Sequence, residues 1–580
     1  MSTMTSVTGM ESTQISPKEL PKSFNDWPNF QGFNSTYQEH SPVELKVKGN
    51  IPAWAAGVLY RTGTGASEVE TDSGKTFKVH HWFDGLAVVH RFQILPPDSE
   101  HDSVRVLYNS RSTCDGLIEK IRKTGDVGQV TFGRKYEPCT SFFKKVMSIF
   151  QPNQLGCSKP DERSMSVTLS TNFPGLSATG ERQHHGHASG IQTLCNKTDA
   201  NAFQMLDPET LEPVGLASQT TLHPDLKGPL SSAHARSDPI TGDVFNYNLD
   251  LGPKPTYRIF RVSSTGKTSI LASFHADAAY LHSFFLSKHY VVLCVWNSFF
   301  TASGASILWK KNIVDALADY DPSRPARWYV VDRRPPEEGG QGLVAIYESD
   351  HFYCFHTINA FEEASADGST VDIVADLVTY PNLDTLKKLY LPNLISTSPA
   401  TAEYAKASVN PVLKRFRLSS IPLTPVKTAK QAVLELTSEP LKCPELPTIN
   451  PAYVLRRHRY VYGVVNTGKS TFFDSLVKYD TETGATLTWS EHGQTAGEAI
   501  FVPRRGTEAA DNLDEDDGIL LTVVLDGPAG RSYLLALDPK TMTETGRAEL
   551  DGPVGFAFHG THVPAAGKGF GGAEGRGLDF

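Results

Sequence analysis

Residues 352–363 read Phe-Tyr-Cys-Phe-His-Thr-Ile-Asn-Ala-Phe-Glu-Glu, an alternating apolar strand that runs into a single histidine, His356, and then into an acidic turn. A histidine at the end of a buried strand is more often a hydrogen-bonded core residue than a metal ligand. The arrangement recurs, however, in apolar or small-residue surroundings at His234, His282 and His559. Four such histidines, far apart in sequence, predict one metal ion held by four separate elements of a closed fold.

Composition limits the classes of protein that the chain can represent. The chain has 580 residues, of which 39% are hydrophobic and 10% aromatic, so that it can form a sizeable core. The net charge of −9 argues against a nucleic-acid partner. Seven cysteines without a CxxC pair argue against a disulfide framework and for a reducing compartment. Because no secretory signal and no apolar run of membrane-spanning length is visible, we predict a cytoplasmic protein that is not secreted.

Short β-branched and aromatic segments predict strands along most of the chain. The clearest examples are residues 104–109, 289–296, 326–331, 459–466, 518–525 and 532–537. Four turns share a chemistry in which aspartate comes first, proline presets φ where it is present, and glycine takes a positive φ. They begin at Asp207, Asp238, Asp480 and Asp538. Repeated hairpins of this kind predict four-stranded blades arranged as a propeller, with a sandwich of two sheets as the alternative.

The domain organisation follows from where this β pattern stops. Residues 1–29 are polar and are predicted to be loose. Residues 30–564 are predicted to form a single propeller domain, interrupted by a long insertion at 382–430. Residues 565–580 are rich in glycine and are predicted to form a flexible tail or a late turn.

A second interruption, residues 117–150, is basic and ends in a segment with apolar residues at helical spacing. Within residues 142–150, phenylalanine, valine and isoleucine side chains share one side, with lysines beside them. Such a helix suits peripheral contact with a membrane or a lipid body. An ordinary helix that caps the core is an equally good interpretation.

Three carboxylates stand in apolar surroundings, at Asp199, Glu445 and Glu498. A buried carboxylate needs a partner, because burial of an unpaired charge is costly. A histidine that binds a metal ion through one ring nitrogen usually has the other nitrogen held by such a carboxylate. A site made only of imidazoles, with coordination positions left open, suits a first-row ion such as Fe(II) or Zn(II).

Seven short motifs occur in an order that resembles the carotenoid oxygenases, non-haem iron enzymes that cleave or isomerise polyenes and stilbenes. The motifs lie at residues 81–85, 355–360, 445–450, 460–463, 498–502, 515–518 and 558–560, and the resemblance extends from about residue 34 to residue 564. Each motif alone is weak, whereas the ordered set is specific. Within the family, the chain most resembles the fungal enzymes that cleave torulene.

The resemblance implies a seven-bladed β-propeller with Fe(II) on its axis and a cap of helices and loops over one face. It assigns His234, His282, His356 and His559 as the iron ligands.

The resemblance also implies roles for the three acids. It assigns Glu445 to the orientation of His356 and Glu498 to that of His559. Asp199 takes the place of a third family glutamate and is expected to serve His282. Because aspartate is shorter than glutamate by one carbon, its carboxylate is displaced by about one bond from the position of the family glutamate.

The implied activity is cleavage of a double bond of a long carotenoid by O2, which gives two carbonyl compounds, one of them an apocarotenal. The substrate would reach the iron through an apolar tunnel, for which Phe83 and Phe361 are candidate lining residues. One alternative is a dioxygenase that cleaves stilbenes or phenylpropenes on the same scaffold. The other is a propeller without catalytic activity that binds proteins through its faces.

The residues next to Asp199 distinguish the two enzymatic alternatives. Stilbene-cleaving members of the family hold a substrate phenolate with a lysine directly before the first acid. Here that position is Thr198, and Lys197 would point to the opposite face of the strand. The sequence therefore favours a carotenoid over a hydroxystilbene.

Overall fold

The computed structural model describes residues 25–135, 159–177, 190–366, 368–398, 410–504, 514–565 and 575–579. Nearly all regular structure in these ranges is β-strand, which confirms the predicted all-β class. The first strands in chain order are β1 (Val43–Gly49), β2 (Gly57–Thr64), β3 (Glu68–Glu70), β4 (Thr76–Lys78), β5 (Ala87–Leu95), β6 (Arg105–Ser112), β7 (Thr168–Thr171), β8 (Leu194–Lys197), β9 (Phe203–Leu206), β10 (Pro213–Ala217), β11 (Leu230–Ser231), β12 (Arg236–Ser237), β13 (Val244–Asp250), β14 (Thr256–Val262), β15 (Thr268–His275), β16 (Phe285–Leu286) and β17 (Tyr290–Val295). They are followed by β18 (Ala326–Asp332), β19 (Leu343–Ser349), β20 (Tyr353–Ala364), β21 (Val371–Tyr380), β22 (Val412–Ile421), β23 (Lys430–Gln431), β24 (Val433–Thr437), β25 (Glu445–Thr448), β26 (Tyr460–Val465), β27 (Ser475–Asp480), β28 (Thr486–Trp489), β29 (Gln494–Ala496), β30 (Ile500–Pro503), β31 (Gly518–Asp526), β32 (Arg531–Asp538), β33 (Thr543–Glu549) and β34 (Ala557–Pro564).

The helices are short and connect strands or sheets. The α-helices of the described residues are Phe30–Phe33, Asp115–Thr124, Gln219–Leu222, Ser306–Lys310, Ile313–Ala316, Asp384–Lys388 and Leu391–Leu394. Single 3-10 turns lie at Ala53–Ala55, Trp82–Asp84, Pro160–Glu162, Thr301–Gly304, Pro336–Glu338 and Pro451–Tyr453. Among the helices in the described ranges, none combines the length and the apolar character that crossing a membrane requires.

Five separate sheets of four or five strands follow one another along the chain. They contain β7–β10, then β11–β15, then β16–β19 with β23, then β20–β22 with β24, and finally β25–β28. Neighbouring strands are antiparallel, except that β23 pairs in parallel with β19. Each sheet is therefore a unit of consecutive hairpins, as expected for the blade of a propeller.

A ten-stranded sheet combines early and late strands in the order β29-β31-β32-β33-β1-β6-β5-β2-β34, with β30 also paired to β31. One part of β1 pairs with β33 and the other part pairs with β6. The sheet is thus two blades that share β1 as their outer strand. Together with the five separate sheets, these two give the predicted seven-bladed propeller. Pairing of β2 with β34 closes the ring.

The four aspartate turns lie between adjacent strands of single blades, as predicted. Asp207, Asp238, Asp480 and Asp538 each accept, through Oδ1, a hydrogen bond from the backbone N–H two residues later, at 2.7–2.9 Å. This local bond fixes the reversal of the chain at each turn, and Asp238 is held in addition by Arg333, which follows β18 of the next blade. The six strand segments that the sequence indicated most clearly coincide with β6, β17, β18, β26, β31 and β32, and none extends beyond its strand by more than one residue.

Aromatic side chains fill the space between neighbouring blades. Trp328 of β18 lies 5.2 Å, centroid to centroid, from Phe416 of β22. Phe352, just before β20, lies 5.7 Å from the same Phe416 ring. All three rings are buried. The alternating apolar residues at the start of residues 352–363 thus pack one blade against the next, which places the following histidine on the inner side.

The segments predicted to interrupt the β pattern differ in what the structure shows for them. Residues 382–430 supply two short helices, Asp384–Lys388 and Leu391–Leu394, but also β22, which is a regular strand of its blade. The apolar helix predicted at 142–150 lies outside the described residues. Residues 575–579, expected within a flexible tail or a late turn, are largely buried. Asp579 forms an ion pair with Lys197 at 2.5 Å, and this buried contact holds the segment in place.

Candidate metal centre

Four histidines meet at the centre of the propeller, and all four are buried. His234 lies between β11 and β12, His282 lies just before β16, His356 is in β20 and His559 is in β34. One ligand atom from each lies within 4.8 Å of every other. The sequence therefore identified the four residues that the fold brings together.

Blade order explains this convergence. Each histidine lies on or next to the first strand of its blade, and β34 is likewise the edge strand of the closing blade. These strands surround the axis. The segments that carry His234 and His282 are also joined directly, because the Ser232 hydroxyl donates to the carbonyl of His282 at 2.7 Å and accepts from the N–H of His234 at 3.1 Å.

Glu445, the first residue of β25, holds His356. The Nδ1–H of His356 donates to Glu445 Oε2 at 2.6 Å, and the hydroxyl of Tyr380 donates to Oε1 at 2.5 Å. The backbone N–H of Leu446 adds a third bond, at 2.6 Å. Burial alone would raise the pKa of Glu445, but the attraction of His356 and these hydrogen bonds lower it below its usual value. The carboxylate is therefore charged, and both of its oxygens are hydrogen-bonded to groups of the protein.

Glu498 holds His559 in the same way, between β29 and β30. The Nδ1–H of His559 donates to Oε1 at 2.7 Å, while Arg61 and the N–H of Gly560 bind Oε2 at 2.7 and 2.9 Å. Burial lowers the pKa of His559 to about 4, against the opposing attraction of Glu498. The ring is thus neutral near pH 7, and its other nitrogen, Nε2, keeps a lone pair directed at the cluster.

Asp199 contacts the ring of His282, the pairing that the resemblance implied, although its side chain is one carbon shorter than that of glutamate. Both of its oxygens lie within hydrogen-bond distance of His282 Nδ1, at 3.0 and 2.9 Å. The hydroxyl of Tyr280 donates to Oδ2 at 2.8 Å, and the N–H of Ala233 donates to Oδ1 at 3.1 Å. Direct contact is therefore present, and the same carboxylate also holds the backbone next to His234.

The donor set fits a metal ion. The Nε2 atom of His356 is buried and has no hydrogen-bond partner among the described residues. A buried nitrogen in this state is unfavourable unless something else binds it. His234 Nε2 and His559 Nε2 are 3.1 Å apart, so the same point is surrounded by further nitrogen atoms. Neutral imidazoles whose opposite nitrogens are held by carboxylates are the usual ligands of first-row transition metals.

A large cavity of about 700 Å³ opens onto one side of the cluster. His282, His356 and His559 form part of its wall, together with many aromatic and aliphatic side chains. Phe83 lines this cavity, as predicted. Phe361 does not: it lies away from the cavity, buried beside His458 with the two ring centroids 6.1 Å apart, because its position on β20 points it between blades.

The cavity on the other side of the cluster is much smaller. A cavity of about 90 Å³ there is bordered by His234, Lys197 and Asp579. Thr198 and Asp199 line the large cavity instead, so Lys197 points to the opposite side, as its position on the strand predicts. The ammonium group of Lys197 forms an ion pair with Asp579.

Sequence reasoning missed three polar residues that hold the acids, namely Tyr280, Tyr380 and Arg61. Tyr280 lies two residues before His282, and this local spacing could have indicated it. Tyr380 and Arg61 are remote in sequence from Glu445 and Glu498, so no local signal marks them. The partners of buried acids become visible only once the blades are assembled.

Comparisons with known proteins agree with this geometry. The family model described as retinal pigment epithelial membrane protein matches residues 32–564. A carotenoid dioxygenase of Neurospora crassa is 41% identical over 575 residues, which cover 93% of this chain and 92% of the relative. A torulene dioxygenase of Gibberella fujikuroi is 40% identical over 579 residues, which cover 96% and 97%. The solved structure of a variant of the Synechocystis apocarotenoid oxygenase has a TM-score of 0.68 at 22% identity and covers 94% of this chain and 99% of that one, a likeness of fold.

The buried four-histidine site and these relatives together identify the chain as an oxidoreductase, a carotenoid cleavage dioxygenase. The chain belongs to the family of the carotenoid cleavage dioxygenases and the retinal pigment epithelial membrane protein.

Proposed function

We propose that the four histidines bind Fe(II) and that the enzyme cleaves a double bond of a long carotenoid, with torulene as the first candidate. The observation that carries this proposal is a cluster of four buried histidines in the wall of a largely apolar cavity of about 700 Å³. A rigid hydrocarbon rod requires a cavity of this character. The choice of torulene rests on the relative of that name, which is 40% identical.

The protein contributes position and environment to this reaction. Bound iron would supply the activation of O2, and the overall reaction adds both oxygen atoms across one C=C bond to give two carbonyl compounds. Asp199, Glu445 and Glu498 fix the histidine rings and keep their Nε2 atoms directed at one point. Aromatic residues such as Phe83 and Phe355 exclude water and align the polyene with the histidine cluster.

The charges near the site favour a carotenoid over a hydroxystilbene. A hydroxystilbene cleaver needs a cation in the cavity that faces the substrate phenolate beside the first acid. Here the residue at that position is Thr198, and the neighbouring Lys197 is buried on the other side in its ion pair with Asp579. A conjugated polyene is already electron-rich and needs no such activation.

Peripheral contact with a membrane or a lipid body belongs to the same proposal. Val130 and Leu308 line the large cavity and are also exposed, at 39% and 67% of their surface, and Trp309 beside them is 43% exposed. Lys310 follows directly. An apolar rim with a neighbouring lysine suits an anionic lipid surface, from which a polyene could enter without crossing water.

The test is a panel of substrates for the iron-loaded enzyme: torulene, other long carotenoids, apocarotenals, and resveratrol as the hydroxystilbene. We expect cleavage of a long carotenoid, with aldehyde products identified by mass, and no useful turnover of resveratrol. Cleavage of resveratrol with the carotenoids left intact would overturn the choice of substrate. Purified protein that binds no iron would overturn the proposed metal.

A further inference from the structure

We propose that Lys388 binds an oxygen atom at one end of a polyene, either a carbonyl or a carboxylate, so that the cavity accepts oxygenated polyenes as well as hydrocarbons. This inference rests on the proposed function and adds a specificity-determining residue to it. Lys388 is the last residue of the helix Asp384–Lys388 and lines the large cavity.

Lys388 differs from the other cations of the cavity wall because the described residues offer it no acid. Lys78 pairs with Glu68 at 2.8 Å, and Arg134 pairs with Asp126 at 2.5 Å. Arg163 is attracted by its neighbour Glu162. For Lys388 the described residues provide neither an ion pair nor a hydrogen bond, and burial lowers the pKa of its ammonium group.

The acids of the cavity wall are already engaged elsewhere. Asp84 accepts hydrogen bonds from the backbone N–H groups of residues 132 and 133, at 2.5 and 2.8 Å. Asp250 pairs with an arginine at 3.4 Å, and Asp199 and Glu445 hold histidines. The described residues of the cavity wall therefore offer no acid to Lys388. A ligand in the cavity can provide the missing acceptor.

A short series of neighbouring residues leads from Lys388 to the histidine cluster. Thr385 lies one helical turn earlier, lines the same cavity, and has its side chain near the hydroxyl of Tyr380. Tyr380 in turn donates to Glu445, which holds His356. Lys388 thus lies on the same helix as a neighbour of these residues, and an oxygen bound to it can set how far a polyene enters the cavity.

A hydrocarbon alone does not explain this residue. An ammonium group in a largely apolar wall loses hydration and gains nothing from a hydrocarbon ligand. A carbonyl oxygen restores one hydrogen bond, and a carboxylate adds charge attraction. The shared requirement is an oxygen acceptor at the end of a rod-shaped apolar molecule, as in an apocarotenal or an apocarotenoic acid.

The test compares three polyenes of matched length: a hydrocarbon, an aldehyde and a carboxylate. Their affinities for the full-length, iron-free protein are measured by quenching of tryptophan fluorescence. The variants are Lys388→Met, Lys388→Arg and, as the matched control, Lys387→Met. Lys387 is the neighbouring lysine on the same helix, with a side chain 64% exposed and paired with Asp384.

We expect Lys388→Met to weaken binding of the carboxylate about 10- to 100-fold and of the aldehyde about 2- to 10-fold, the ranges for charged and neutral partners. Binding of the hydrocarbon should remain unchanged or tighten. Lys388→Arg should retain carboxylate binding, and Lys387→Met should change none of the three affinities.

Equal losses for all three polyenes in Lys388→Met, or no loss for any, would overturn the role of Lys388. The iron-loaded enzyme is assayed in parallel with the same polyenes. Failure to cleave any of them would contradict the proposed function, whereas the effect of Lys388 on the iron-free protein is measured independently of cleavage.

Discussion

The histidine rings are held by carboxylates in two settings, which differ in how deeply the carboxylate is buried. The side chains of Glu445 and Glu498 are only 8% and 5% exposed, and their second oxygens are bound by Tyr380 and Arg61. Asp199 is 17% exposed and lines the large cavity. The same task, fixing an imidazole through Nδ1, is thus done by two almost fully buried glutamates, one of which also borders the large cavity, and by one more exposed aspartate. The difference implies that loss of a partner has unequal consequences at the three positions.

The largest effect is expected from removal of a histidine. His356→Ala and His559→Ala should abolish iron binding and lower activity more than about 100-fold, beyond the range for outer partners. They should also reduce the free energy of unfolding by about 3 kcal/mol or more, because each leaves an oxygen of a buried, charged glutamate without its hydrogen-bond donor. His282→Ala should abolish iron binding as well but destabilise less, since the cavity can hydrate Asp199.

Iron content by atomic absorption and unfolding in urea, measured on iron-free protein, check this prediction. Normal iron and turnover in any of these variants would remove that histidine from the site. Equal destabilisation of the three variants would remove the distinction between the two settings.

The next effect concerns the sealed glutamates. Glu445→Gln and Glu498→Gln keep shape but remove the charge that orients the ring, so iron affinity or activity should fall about 10- to 100-fold. The exposed Glu439, which pairs with Lys442 on the surface, gives the matched control Glu439→Gln, for which no change is expected. Iron titration of each variant measures the effect, and a loss in the control equal to that in the site variants would contradict the assigned roles.

A smaller and graded effect is expected at Asp199. Asp199→Ala should weaken the iron site, whereas Asp199→Glu, which has the longer arm found elsewhere in the family, should be tolerated better. The partly exposed position of Asp199 leaves the longer side chain more freedom than the almost fully buried glutamates have. Activity and iron content of the two variants, measured side by side, decide the matter. Equal loss in both would mean that the aspartate length itself is required at this position.

The smallest effects should come from the tyrosines that support the acids. Tyr380→Phe leaves a buried charged oxygen of Glu445 without its donor, which costs about 1–3 kcal/mol. Tyr280→Phe removes the equivalent donor from Asp199, but cavity water can take its place, so the cost should be lower. Thermal unfolding of the two variants gives this comparison. A larger loss in Tyr280→Phe would show that Asp199 is the more dependent carboxylate.

The sequence indicated the parts of this site that have local signatures. His356 follows an alternating apolar strand, and the aspartate turns depend on bonds within a few residues, so both could be predicted. Asp199, Glu445 and Glu498 stood out as acids in apolar segments, and the family resemblance paired them with their histidines. Whether the short arm of Asp199 would reach His282 could not be decided, because it depends on how close two blades approach.

Other features depend on contacts between distant parts of the chain. Arg61 reaches Glu498, and Asp579 reaches Lys197, across most of the sequence. The glycine-rich composition of residues 565–580 predicted a flexible tail or a late turn, but composition says nothing of a buried ion pair that a single aspartate can form. The lack of an acid near Lys388 is equally invisible in sequence, since it requires knowledge of all its neighbours.

The pairing of β2 with β34 has a consequence for biosynthesis. His234, His282 and His356 leave the ribosome long before His559, which lies in the strand that completes the ring. Until β34 emerges, the nascent chain has an incomplete set of ligands and an unpaired edge at β2, which other chains can bind. Capture of the metal and closure of the ring are therefore coupled. With iron bound as proposed, newly made chains would hold the ion tightly only near the end of translation.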